Sequence, residues 1–409
     1  MSLSGSWAAG TWTVHASCKV QYHVQFADNF LESPSEVLGC FLGAPNDRSE
    51  GRLTVIDRIV YDLYGARFDY LFRQLGVSPL FLIIEGGEGN KNLTSVETVI
   101  NAIRGAGVSR RSEPIIAIGG GVVLDIVGFA AGIYRRGTPW LRIPTTLVGQ
   151  VDAGIGSKTG VNYAGSKNLL GVYHAALGTL IDPTFLASLP ARHISNGLSE
   201  IIKVAIMKDP DLFSLVEKNA ELLIESRFQK TSDPESVPAE VIRRAIHAML
   251  DELADNLWEH DLKRRMDFGH VWGPALEMAT LPDLLHGEAV ALCMALSTTI
   301  ASMRGLISHR LWQQVMDTLS RAGLPVWHHL MDDITLMRKA FADAVKRWDG
   351  HQLVPLPVNF GEVVFAEVEV REVIEAAKVL KNMRLLYRSR KQAPNFYPAL
   401  TGATRLSAH

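Results

Sequence analysis

Residues 115–137 read IIAIGGGVVLDIVGFAAGIYRRG: four aliphatic residues run into Gly119, Gly120 and Gly121, and a helical pattern carrying Asp125 follows. Glycines at a strand-to-helix turn let backbone N–H groups approach a pyrophosphate at the positive end of the helix, where a side chain would obstruct them. The spacing is not G-x-G-x-x-G, and a tight turn uses glycine for purely structural reasons too, so both readings stand on spacing alone. Outward from this turn, RLTVID (52–57), LFLIIEG (80–86), PIIAIGGG (114–121), LRIPTT (141–146) and LGTLID (177–182) are buried-strand candidates separated by helical patterns. That alternation predicts an α/β domain, a mostly parallel sheet with helices on both faces.

After about Pro190 the texture changes to long helical periodicities such as DLFSLVEKNAELLIESRF and EVIRRAIHAMLDELADNLWEH, with few strand signals. The expected division is a Rossmann-like domain over 1–188, a mainly α-helical domain over 189–386 and a loosely held polar tail over 387–409. TSDPESVPAE (231–240), with two prolines, reads as an exposed loop between two helices of the second domain.

The 409 residues have 41 Lys plus Arg against 43 Asp plus Glu, a net charge of -2, which gives no global field for nucleic acid or an anionic membrane. Hydrophobic residues at 47% and charged residues at 21% are the balance of a folded globular protein. Cys18, Cys40 and Cys293 offer neither a disulfide framework nor a Cys-rich zinc site, which suits a reducing cytoplasm. The N-terminus lacks the pattern of a secretory signal, and AVALCMALSTTIASM (289–303) is too short to span a bilayer.

Two further constellations carry possible chemistry. In RIPTTLVGQVDAGIGSKTGVNYAGSKNLLG, Asp152, Lys158, Lys167 and Asn168 follow a strand candidate within a loop rich in Gly and Thr. Such a loop suits a phosphorylated polyol, or is simply a solvated surface loop. Glu200 and Lys203 lie three apart on one helix face, and His270 and His286 follow at intervals of 70 and 16 residues. Two imidazoles and a carboxylate suit zinc with an open coordination position, but these intervals are too wide for a local zinc signature and leave convergence open.

In order, GGGVVLDIVGFAAGIYRRG, RIPTTLVGQVDAGIGSKTGVN, GSKNLLGVYH, LASLPARHISNGLSEIIK, DFGHVWGPALE and LLHGEAVAL resemble the sugar phosphate cyclases, the dehydroquinate synthase superfamily. The resemblance runs from about Asp57 to Lys381. It implies an N-terminal Rossmann-like NAD-binding domain, a C-terminal helical metal-binding domain, an active site between them and a homodimer. By motif it places NAD against Asp57, Glu88, Lys91, Gly120, Gly121, Asp125, Thr145 and Thr146, with Asp152, Lys158 and Lys167 alongside. It assigns Zn2+ or Co2+ to Glu200, His270 and His286. Substrate falls to Arg136, Asn162, Lys167, Asn168, Lys263, Lys346 and His351, and catalysis to Lys203, Asp152, Lys158 and Asp267. The equivalent of Arg136 reaches the neighbouring subunit's substrate phosphate in this family.

Departures from the dehydroquinate pattern concern the substrate. The Lys and Arg that hold a carboxylate there match Met249 and Lys263, an Asn matches Asp267, and a second His matches Pro274. A methionine does not pair with a carboxylate and a nearby aspartate repels one, which favours an uncharged polyol-ketone end. The pattern resembles the branch that cyclises sedoheptulose 7-phosphate and, through NLWEHDL, Asp267, Pro274, LPDLLHGEAVAL and Gly350-His351, the 2-epi-5-epi-valiolone synthases within it. The implied reaction is a transient NAD-dependent oxidation, β-elimination of phosphate, re-reduction and aldol closure. The alternatives are another cyclase of the superfamily (2-epi-valiolone, desmethyl-4-deoxygadusol or 3-dehydroquinate synthase) and a metal-dependent polyol dehydrogenase.

Overall fold

Short β-branched and aliphatic runs form the strands of the first half, each closed by a turn former or a capping side chain. The computed structural model of the protein describes residues 2–6, 10–17, 19–32, 51–229, 236–347 and 353–392. A hairpin of β1 (Ser2–Ser6) and β2 (Thr11–His15) precedes β3 (His23–Phe26) and β4 (Arg52–Asp57). Asp57 ends β4 and caps α1 (Arg58–Gln74), its Oδ1 accepting from the backbone N–H of Ile59 at 2.8 Å. Next come β5 (Pro79–Ile84) and α2 (Leu93–Gly105), the latter capped by Asn92, then β6 (Ile115–Gly119), α3 (Gly121–Ile133) and β7 (Trp140–Pro144). An antiparallel hairpin of β8 (Lys158–Tyr163) and β9 (Ser166–Tyr173) leads to β10 (Gly178–Ile181).

Six strands form one parallel sheet in the order β3-β10-β7-β6-β4-β5. The chain steps outward from β4 to β5 and then back across to β6 on the other side of β4, so the order reverses between β4 and β6. In an open parallel sheet that reversal leaves a crevice at the carboxyl ends of the strands. Here its rims are Asp57 and the glycine turn 119–121. Strand periodicity fills both faces: Ile115 and Ala117 of β6 pack into one apolar cluster, Ile116 and Ile118 into the opposite one with Phe68, Phe72 and Phe185.

The second half contains α4 (Ala191–Lys208), α5 (Pro210–Glu225), α6 (Val237–Ala254), α7 (Gly273–Thr280), α8 (His286–Met303), α9 (His309–Arg321) and α10 (Ile334–Arg347). A hairpin of β11 (Leu353–Asn359) and β12 (Glu362–Glu367) and a last helix, α11 (Val370–Gln392), follow. Helix α8 is buried without interruption from Ala289 to Ala301, which explains the most apolar stretch of the sequence as a core helix. Among the described residues no helix is long and apolar enough to cross a membrane. Gly287 lets α8 start hard against α4, because a Cβ there would lie 2.0 Å from the carbonyl oxygen of Asn196.

Four expectations need correcting. The stretch after the PTT is a π-turn over Gly149–Ala153 and then the β8/β9 hairpin, not an open loop; its glycines allow close strand approach rather than disorder. The helical half carries a hairpin, whose prolines at 355 and 357 masked the strand pattern of β11. Helix α6 already begins at Val237 because Pro238 suits a first helical turn. Helix α11 continues to Gln392, past the expected boundary at 386. Residues 393–409 lie outside the described residues, as do Cys18, Cys40 and His351.

Candidate active site

Helix α4 packs against the π-turn that follows β7, against α8 and against the turn before α7, while α7 packs against β9, and this juxtaposition builds the site. At the sheet, Gly120 stands as the N-cap of α3 in extended conformation, with no capping side chain and no acid in the first turn, so the helix end is open to an anion. A Cβ on Gly120 would sit 2.9 Å from Thr146 Cγ2, which ties this glycine to the PTT segment. Thr145 donates its backbone N–H to the Gly119 carbonyl at 3.0 Å, and Thr146 Oγ1 accepts from Gly149 N–H at 3.2 Å. Across the crevice Asp57 Oδ2 faces Gly86, where a Cβ would lie 2.3 Å away.

Behind the glycine turn, buried Lys91 donates to Asp125 at 2.5 Å. Burial presses the Lys91 ammonium down, but Asp125 and Glu88 raise it above its ordinary value. The β8/β9 hairpin is fastened to the same region: Asn162 gives its backbone N–H to the Lys91 carbonyl at 2.9 Å, and its Nδ2 donates to Glu88 Oε1 at 2.8 Å. Asn162 Oδ1 in turn receives the backbone N–H of Asn168.

Glu200, His270 and His286 converge. Their ligand atoms lie within 4.8 Å of one another, with His286 Nε2 3.1 Å and His270 Nε2 3.8 Å from Glu200 Oε1. Glu200 is 0% exposed; its Oε2 faces Lys203 Nζ at 2.6 Å and its Oε1 faces both imidazoles. A buried carboxylate converging with two imidazoles is a donor set that fits a divalent cation. Burial alone would raise the Glu200 carboxyl, but Lys203, a hydrogen bond with His286 and the two imidazoles hold it well below the usual range. Burial and Lys203 push His270 well down, leaving it in the neutral form a metal requires. Its Nδ1 is 3.4 Å from the Phe268 carbonyl, which takes the ring proton there and leaves Nε2 toward Glu200. Lys203 also lies 3.8 Å from Asp152 Oδ1, and burial, offset by Lys203, raises Asp152.

Several functional-looking side chains were not singled out from the sequence. Glu277 of α7 is 2% exposed. Lys167 Nζ donates to both its oxygens at 2.6 Å, and its Oε2 is 3.0 Å from His286 Nδ1. A lone acid in the apolar run GPALEMAT was the available signal, because a buried charge needs partners. Glu259 pairs with both Lys158 and Arg264, and Tyr173 donates to it at 3.2 Å. Arg264 also grips Asp267 through Nε and Nη2 at 3.1 and 2.8 Å.

Other expected substrate residues sit apart. Lys263 is exposed, its backbone N–H donating to Asp261, and its neighbour Arg264 turns into the site in its place; the tight turn at 261–264 shifts which basic residue points inward. Lys346 is exposed on α10. Arg136 is exposed beside the glycine helix with φ of 63°. Lys158 reaches the rim with a side chain 55% exposed. Met249 is part of the apolar core of the helical half.

With the geometry in place, known proteins supply the frame. Residues 81–196 match the 3-dehydroquinate synthase N-terminal family and residues 197–346 its C-terminal counterpart. The chain is 42% identical over 373 residues to a 2-epi-5-epi-valiolone synthase of Actinoplanes sp., covering 91% of this chain and 93% of that one. It is 46% identical over 367 residues to a 2-epi-5-epi-valiolone synthase of Streptomyces hygroscopicus subsp. jinggangensis, covering 90% and 88%. The solved structure of ValA, the 2-epi-5-epi-valiolone synthase of that Streptomyces, with NAD+ and Zn2+ bound, superposes with a TM-score of 0.84 at 45% identity, covering 91% of this chain and 100% of that one.

Proposed function

The chain belongs to the 3-dehydroquinate synthase family, and on that premise we propose that it is a 2-epi-5-epi-valiolone synthase, a phosphate lyase that cyclises sedoheptulose 7-phosphate with release of phosphate. The observation that carries the reading is the fully buried Glu200 carboxylate converging with His270 and His286, with Lys203 and Asp152 beside it. When bound, NAD supplies a hydride acceptor that is regenerated, and Zn2+ or Co2+ supplies a Lewis acid, so the net reaction involves no redox change. Glu200, His270 and His286 would hold the metal. The crevice residues Asp57, Glu88, Lys91, Gly120, Gly121, Asp125, Thr145 and Thr146 would hold NAD, with its pyrophosphate at the open end of α3.

Lys203 and Asp152 are the pair for moving the proton of the reacting hydroxyl, since Lys203 is buried, Asp152 is partly open to the site and each is perturbed by the other. Lys158, Asn162, Lys167 and Asn168 line one hairpin and absorb the charge of the leaving phosphate. Arg136, exposed at the end of α3, serves a second subunit in a cytoplasmic homodimer. Asp267 and Arg264 choose the substrate's far end. The guanidinium is spent on Asp267 and Glu259 and the matching lysine position is the buried Met249, so among the described residues neither position offers a free cation to a carboxylate, and Asp267 offers an acceptor to hydroxyls.

Incubating the purified protein with NAD+, Zn2+ and sedoheptulose 7-phosphate should yield 2-epi-5-epi-valiolone by NMR, and the carboxylated seven-carbon precursor of 3-dehydroquinate should be inert. Turnover of the carboxylated compound alone would overturn the substrate assignment.

A further inference from the structure

His286 faces two groups at Nδ1 that demand opposite things of it. Glu277 Oε2, at 3.0 Å, only accepts, and so requires the ring proton on Nδ1. Lys167 Nζ, at 2.9 Å, only donates, and so requires Nδ1 bare. The two tautomers differ at the other end of the ring. With the proton on Nδ1, Nε2 presents a lone pair into the space it shares with Glu200 and His270; with Nδ1 bare, Nε2 carries the proton and gives it to Glu200 Oε1 at 3.1 Å, closing the triad on itself. Lys167 is itself held by both oxygens of Glu277 at 2.6 Å, so the carboxylate simultaneously claims the ring proton and occupies the competing donor.

We propose that Glu277 is the positioning residue that sets the tautomer of His286, keeping Nε2 open to the metal against the opposing pull of Lys167. The proposal rests on the metal reading of Glu200, His270 and His286. It makes Lys167, a residue of the β8/β9 hairpin, an inhibitor of metal binding that one carboxylate holds in check. Removing the carboxylate should therefore harm the metal site less when Lys167 is removed with it.

The test is zinc affinity by chelator competition, with thermal melts to confirm that each metal-free variant is folded. Wild-type protein should take up one equivalent. Glu277→Gln should bind about 10–100-fold more weakly, the usual cost of losing a group that orients a metal histidine. The double variant Glu277→Gln with Lys167→Met should regain most of that loss, a coupling that a packing role of Glu277 independent of Lys167 does not produce. Lys167→Met alone should bind at least as tightly as wild type, which keeps the proposal testable if Glu277→Gln does not fold. Unchanged affinity in Glu277→Gln, no recovery in the double variant, or weakened binding in Lys167→Met would each overturn it. If wild type takes up no zinc, or keeps its zinc after His270→Ala, the metal reading fails and takes this inference with it.

Discussion

His270→Ala is expected to lose tight zinc binding and to lower kcat/KM at least about 10³-fold, or ~4 kcal/mol of transition-state stabilisation, while the protein stays folded. The fold survives because His270 is partly exposed and its Nδ1 makes only a 3.4 Å contact with the Phe268 carbonyl. Glu200→Gln should show the same loss of metal and turnover together with a loss of stability. Glu200 is fully buried with Lys203 Nζ at 2.6 Å, and neutralising it strands an ammonium in the core at a cost of about 3–5 kcal/mol. Urea unfolding of the two metal-free variants separates the effects: a reduced midpoint for Glu200→Gln and a near-native one for His270→Ala. Zinc uptake and turnover retained by His270→Ala would refute the assignment of the triad.

The second large effect belongs to Lys203. Lys203→Met keeps an unbranched stem one atom shorter and removes the ammonium between Glu200 and Asp152, and kcat should fall about 10²–10⁴-fold with little change in the NAD requirement. Burial presses the Lys203 ammonium down, but Glu200 and Asp152 more than offset this and raise it. The stabilisation from that raised value is therefore present in full below the ordinary lysine pKa of about 10.4, and is lost only as pH rises through the folded-state value. Across neutral pH the wild-type group stays charged, so lowering the pH should not rescue the variant. Steady-state kinetics at saturating substrate decide it, and a kcat within threefold of wild type would remove Lys203 from the chemistry.

The sheet was readable from the sequence because its strands are continuous apolar runs, as burial on both faces demands, and each of the five runs from Arg52 to Asp182 coincides with a parallel strand. Strand β3 escaped because HVQF carries two polar residues at an edge position where half the side chains are exposed. The convergence of Glu200, His270 and His286 followed from motif resemblance and not from spacing, since nothing local in a sequence reports that the turn before α7 folds back onto α4. Glu277, Glu259 and Arg264 stayed hidden for the same reason. Their meaning lies in partners 110, 101 and 5 positions away, Lys167, Lys158 and Glu259, whose proximity is a product of the fold. The motif match falls on Lys263 and misses Arg264, because adjacent basic residues are indistinguishable until the backbone turn decides which one faces inward.

A nicotinamide that is used and restored opposite a metal triad leaves its mark in the reaction stoichiometry. With zinc-loaded protein, catalytic NAD+ and excess sedoheptulose 7-phosphate, released phosphate should equal substrate consumed while absorbance at the NADH band stays flat in the steady state. NADH rising in step with substrate loss, with no phosphate released, would instead mark a net polyol dehydrogenase and refute the cyclase assignment.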